Sequence, residues 1–384
     1  MEERWFQVGD SKPVQEGDLT LRVARLLATR LRDLGAKVSF VRSADEPTTG
    51  KRPDDFRELA RKILIKNGVP QPRADVLDST DPEKEKTIRW QSEILFYRYS
   101  EIRRRAALVN FKLHPDLVLC LHFNAEGWGD PTSPMLTDTN HLHLLVNGSY
   151  LAEELEFDDE RFEMIRRLLS RAYDEELPLA DTIAVAMARE TGLPPYAYPT
   201  TNSTTKVGTS GYVYARNLLA TRLYRCPVVY CEPYVMNSKD VFARIQAGDY
   251  EGTRNINGVE RKSIFREYAD SVADGLVEYY SKARSSNGAA VSSPPFSLKA
   301  SRCIGGLETA APGYSASTAS RMSSSVTLSV TCAAPMRGVT TNRTFPPSNF
   351  LSNFTASRIF LRGKFGGNRV GNPNRSRRST IAAR

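Results

Sequence analysis

His122 and Asn124 stand at the end of an apolar run, in LVLCLHFNAEGWGD over 117–130, where the chain passes into Gly127 and Gly129. A histidine so placed can ligate a metal ion or move a proton near neutral pH. A second apolar run, in CPVVYCEPYV over 226–235, ends on Glu232 and Pro233. A carboxylate there is costly to bury without a partner, which makes Glu232 a better functional candidate than any acid on a solvated helix face. Glu16, in VQEGDLTL, lies just before a helical pattern, where the helix dipole alone would favour an acid. His141 and His143 lie two apart on a strand and so share a face, a spacing that suits a zinc site and an exposed strand face alike. His114, followed by Pro115, reads as a turn residue. Spacing alone does not join Glu16, His122 and Glu232 into one site.

The elements that must carry these residues follow from hydrophobic periodicity. Leu19, Val23, Leu26, Leu27, Leu31 and Leu34 recur at helical spacing, with Asp18 as N-cap and Gly35 as the stop. AKVSFVR is then a strand, 56–67 a helix, 68–86 a loop, and 88–113 a long helix ended by Pro115. DLVLCLHF and HLHLLVNG are strands, the second ended by Asn147 and Gly148. Residues 160–191 form one long helix or two shorter ones, and 195–211 a loop. CPVVYCEPYV is a strand with a proline at its first position, and 262–283 an amphipathic helix. Helices alternating with short apolar strands predict an α/β fold: a three-layer, mostly parallel twisted sheet with helices on both faces. Ligands of such sheets bind beyond the carboxyl ends of the strands, where His122 and Glu232 both fall.

Composition narrows the function classes. The 384 residues are 40% hydrophobic, enough for a core, and the five cysteines share no short spacing that would mark a disulfide framework or a cysteine-type zinc site. No apolar stretch is long enough to span a membrane, and the polar start MEERWFQVGD is not a secretory signal. The net charge of +9 is uneven: from Arg284 onward fourteen Lys or Arg face one acid, Glu308, leaving 39 bases against 43 acids in residues 1–283. The body is thus slightly acidic, and no nucleic-acid partner is expected for it. The tail, 284–384, is rich in Ser, Thr, Asn, Gly, Pro and Arg without sustained period, and is expected to be disordered; SSVTLSV within it has the character of a strand with nothing around to cover it.

Several stretches, in order, resemble the zinc-dependent N-acetylmuramoyl-L-alanine amidases of the cell wall. EGDLTLRVARLLATRLRDLGAKVSFVRSAD is similar to the helix and strand that follow that family's metal-binding glutamate. RRRAALVNFKLHPDLVLCLHFNA resembles its Arg-Ala…Ala-Asn helix and Ser-x-His-x-Asn-Ala strand. CPVVYCEPYVMNSKD resembles the strand bearing its catalytic glutamate, and ADSVADGLVEYY its closing helix. The resemblance spans about 16–283. It implies Zn2+ held by Glu16 and His122, Glu232 as general base and acid, and Asn124 shaping the site. The reaction implied is hydrolysis of the amide between N-acetylmuramic acid and L-alanine, with peptidoglycan or muropeptides as partner and a periplasmic or cell-envelope location.

The chain also departs from that pattern. MEERWFQVGDSKPVQ has no counterpart of the Gly-His-Gly turn whose histidine is the family's first zinc ligand, so a missing first strand and an N-terminally truncated chain are expected. Cys120 stands where the family has serine. Residues 44–98 read as an insertion that could form a lid. Since catalytic zinc normally keeps three protein ligands, an amidase-like domain that binds wall peptides or a protein partner without cleaving is the alternative, unless His141 or His143 supplies the third donor.

Overall fold

Short apolar runs joined by glycine and proline turns give a chain that changes element every few residues. The structure, a computed structural model, describes residues 5–44, 46–77, 81–198, 203–286 and 327–332. A two-residue antiparallel ladder of β1 (Trp5–Phe6) and β2 (Val14–Gln15) leads straight into α1 (Glu16–Asp33), which buries Leu19, Val23, Leu27 and Leu31. The helix starts two residues before the expected cap: Gln15 is the cap residue, and Asp18 lies in the first turn, where the dipole still favours it. Gly35, at φ 91°, takes a left-handed conformation that side chains resist and turns the chain into β3 (Lys37–Phe40).

The segment read as an insertion folds as a helical unit. α2 (Arg57–Lys66) packs on α3 (Ile88–Phe96) around buried Ala60, Leu64, Ile88 and Leu95. α3 continues through a π-turn at Tyr97–Glu101 into α4 (Ile102–Leu108), so that 88–113 is helical throughout, as its pattern predicts. Glu101, fully buried, accepts the Thr48 N–H at 2.9 Å and the Arg105 Nε–H at 2.7 Å, tying the start of the insertion to this helix.

β4 (Leu117–Leu121) and β5 (Leu142–Val146) are buried along their whole length. Two helices, α5 (Asp158–Ser170) and α6 (Tyr173–Thr191), follow, separated at Arg171 by a left-handed residue. β6 (Thr204–Val207) and β7 (Val213–Arg216) come next; β6 corrects the loop expected over 195–211, having no apolar alternation because it is a polar edge strand. α7 (Leu219–Leu223), β8 (Val228–Pro233), α8 (Lys239–Ala247), the hairpin β9 (Thr253–Ile256) with β10 (Val259–Lys262), and α9 (Ile264–Ser286) complete the body.

The main sheet is seven-stranded, in the order β3, β11 (Thr327–Cys332), β4, β8, β5, β7, β6. The first four run parallel, as do β5 and β7, while β5 is antiparallel to β8 and β6 to β7. Alternation along β4 shows the layering. Leu117, Leu119 and Leu121 face a core closed by α1, α6 and α9; Val118 and Cys120 face a second core with Ala106, Val109 and Tyr224. Each leucine so buried contributes roughly 1.5–3 kcal/mol. The expected α/β fold with helices on both faces is the one observed. Of SSVTLSV, the described residues belong to Thr327–Cys332, which lies between β3 and β4, with Leu328 beside both Val38 and Leu117. The rest of 287–384 lies outside the described residues.

Candidate active site

Strand register brings the candidate residues together. β4 and β8 pair with Leu121 beside Cys231, so the next step sets His122 beside Glu232; β8 and β5 pair with Glu232 beside His143. Three strands therefore carry His122, Glu232 and His143 in one row across the sheet, about 4.8 Å apart from strand to strand, at the carboxyl ends of β4 and β8. The row faces the second core, two residues beyond Cys120 and Tyr230.

Glu16 reaches this row from the first turn of α1. It is 1% exposed, and its Oε1 lies 3.0 Å from His122 Nδ1 and accepts the Phe123 N–H at 3.3 Å. The His122 ring stacks on Tyr230, ring centres 4.0 Å apart, with the Tyr230 hydroxyl 3.2 Å from Nδ1. Behind the row, the Tyr268 hydroxyl of α9 accepts the His122 N–H at 3.3 Å and donates toward the carbonyls of Cys231 at 3.0 Å and His122 at 3.1 Å, clamping the β4–β8 junction.

On the other side, His143 Nε2 lies 2.9 Å from Glu232 Oε2 and 2.9 Å from the Tyr198 hydroxyl. His143 is sealed at 1% exposure, whereas the Glu232 side chain keeps 20%, so the carboxylate is the more open of the two. His141 lies one step further out, its Nε2 3.8 Å from Glu126 Oε1 and its ring 4.3 Å from Tyr196. Burial, then the neighbouring His143, pushes His141 down to about 4, so it is neutral at pH 7. Burial also raises the Tyr196 and Tyr198 hydroxyls, which stay protonated. The exposed-face reading of His141 and His143 is corrected: both are buried among aromatic rings.

Asn124 serves through its backbone. It pairs with the β8 extension, its N–H donating to Tyr234 O at 2.7 Å and its carbonyl accepting from Met236 at 2.8 Å, while its side chain turns back to the Ala125 N–H. Asn237, fully buried, holds the loop by accepting the Glu126 N–H at 3.0 Å. Sequence reasoning missed Tyr198, Tyr230 and Tyr268. The signal for two of them was period two: Tyr230 precedes Glu232 by one strand repeat, and PYAYP presents Tyr196 and Tyr198 at the spacing of His141 and His143.

Glu16 and His122 converge closely enough to be two ligands. Among the described residues no group of three His, Cys, Asp or Glu is placed to hold a metal ion, and His143 is turned to Glu232 instead. The residues therefore match two donor positions of the three that a catalytic zinc normally keeps.

No family model matches the chain, and no curated protein matches it. Among solved structures it is similar to the N-acetylmuramyl-L-alanine amidase Ami1 from Mycobacterium smegmatis, at 14% identity and a TM-score of 0.35, over 73% of this chain and 82% of that one. It is similar to the CwlD amidase from Clostridioides difficile, solved in complex with the GerS lipoprotein, at 10% identity and a TM-score of 0.39, over 72% and 92%. The apo form of Ami1 from Mycobacterium abscessus matches at 15% identity and a TM-score of 0.34, over 72% and 90%. Of these three solved structures, the two Ami1 proteins are N-acetylmuramyl-L-alanine amidases and CwlD is an amidase.

Proposed function

We propose that the chain is an amidase-type hydrolase that cleaves the amide between N-acetylmuramic acid and L-alanine in peptidoglycan or muropeptides, in the periplasm or elsewhere in the cell envelope. One observation carries this reading. Glu16, His122 and Glu232, which the resemblance assigns to metal binding and proton transfer, come from distant parts of the sequence and meet at one end of the sheet. Glu16 and His122 are proposed as two zinc ligands; zinc held there would polarise the amide carbonyl and ease the deprotonation of water. Glu232, partly open beside them, takes a proton from the attacking water and returns it to the leaving amine. A C–O bond forms, the C–N bond breaks, and the products are the muramoyl carboxylic acid and a peptide with a free L-alanine amine. No helix among the described residues is long and apolar enough to cross a membrane.

The test is release of new α-amine from a purified muropeptide by the full chain, beside Glu232→Gln and with zinc content measured on both. The expected result is cleavage by the parent, a fall of roughly a hundredfold or more in Glu232→Gln, and equal zinc in the two. A parent that releases no amine with or without added zinc overturns the proposal and leaves a non-cleaving binding domain.

A further inference from the structure

We propose that His143 is a positioning residue for Glu232, holding its carboxylate in the orientation that base catalysis needs; this rests on the reading of Glu232 as the base. Register alone sets the two side by side on antiparallel strands, and side-chain geometry completes the contact, Nε2 to Oε2 at 2.9 Å. The other ring nitrogen decides the tautomer. His143 Nδ1 is buried without a hydrogen-bond partner among the described residues, so a proton there would be a stranded donor. The proton therefore sits on Nε2, where it donates to Glu232 and toward the Tyr198 oxygen, also 2.9 Å away.

Three features keep that donor in place. His143 is 1% exposed on a fully buried strand, so its ring has no room to turn. The rings of Tyr196 and Tyr198 lie 5.1 and 5.3 Å from it and wall it in. Pro233 fixes φ immediately after Glu232, limiting the backbone freedom of the carboxylate's own strand end. A flexible glutamate side chain thus has one oxygen anchored, and a misplacement of about 1 Å at such a group can cost on the order of a hundredfold in rate.

The experiment uses the full chain with His143→Ala and His143→Gln, the latter returning an amide N–H at similar reach. His143→Ala is expected to lower kcat roughly tenfold to a hundredfold with KM within about twofold, and His143→Gln to recover most of the loss. A second readout does not need turnover. Nitrogen-15 spectra of the histidine rings should show His143 protonated on Nε2 and unprotonated on Nδ1, with that preference weakened in Glu232→Gln. An unchanged kcat in His143→Ala, a change confined to KM, or a proton on Nδ1 overturns the proposal. A parent that cleaves nothing overturns the amidase reading instead, and the ring-nitrogen spectra then decide the positioning by themselves.

Discussion

Replacing Glu176 should be among the most damaging single changes far from the site. Glu176, on α6, is fully buried; it pairs with Arg167 of α5 and accepts the Val228 N–H at the start of β8 at 2.7 Å. Arg167 is held further by the carbonyls of Thr221 at 3.2 Å and Tyr224 at 3.1 Å. Glu176→Ala would leave a buried guanidinium without its counter-charge and a strand N–H without an acceptor. Breaking such a pair from one side costs about 3–5 kcal/mol, which for a domain of this size lowers Tm by roughly 10 °C. Glu176→Gln keeps an acceptor and should cost about half as much. The double variant Arg167→Met with Glu176→Leu removes both charges and should recover part of the loss, ending about 1–3 kcal/mol below the parent, since the uncompensated charge is gone but the Val228 N–H still lacks its acceptor. Urea unfolding of the four chains, followed by circular dichroism at one pH, measures all of this. A Glu176→Ala variant within about 1 kcal/mol of the parent, or a double variant no more stable than it, would refute the reasoning.

Tyr268→Phe removes the hydroxyl that bridges β4 and β8 and should cost about 1–2 kcal/mol in the same assay; a neutral result would mean the clamp is slack. His141 titrates at about 4 when folded against 6.5 unfolded, so between those values the unfolded chain binds a proton that the folded protein refuses. The folded value is the depressed one, so stability falls as pH drops from about 6.5 to 4, by at most about 1.4 kcal/mol per pH unit from this group, and His141→Asn should flatten that slope; an unaltered slope would count against the assignment. A chain ending at Ser286 lacks β11 and should be poorly soluble, while one ending at Cys332 keeps the whole sheet; equal yields and equal Tm would show that the central strand is dispensable.

What could be read from the residues alone was the part written in local patterns. The apolar runs at 117–121 and 228–231 are strands because every residue in them is buried, and the helices at 16–33 and 264–286 carry their burial at helical spacing. Glu16, His122 and Glu232 stand out by type and position, yet their meeting depends on register between strands far apart in sequence, which no local pattern encodes. Polar strands such as Thr204–Val207 have no hydrophobic signature to find. His143 looked like half of a strand-face histidine pair; only the antiparallel neighbour shows that its partner is Glu232 rather than His141. SSVTLSV has the character of a strand, but β3 and β4, which flank Thr327–Cys332, lie far back in the sequence.

The place of β11 in the sheet also fixes an order of events during synthesis. The strand between β3 and β4 is the last described segment to leave the ribosome, so β3 has no neighbour to pair with until nearly everything else has been made. The helices, including α1, whose Arg30 pairs with Asp270 and Asp274 of α9, and the β4–β8–β5–β7 portion can assemble before β11 is made, whereas β3 must wait with an open edge. Closing the sheet is then a late step of long sequence separation, slow by its topology and exposed to association in the meantime. Growth temperature and chaperone supply should therefore govern the yield of folded chain more strongly than the stability of the finished protein does.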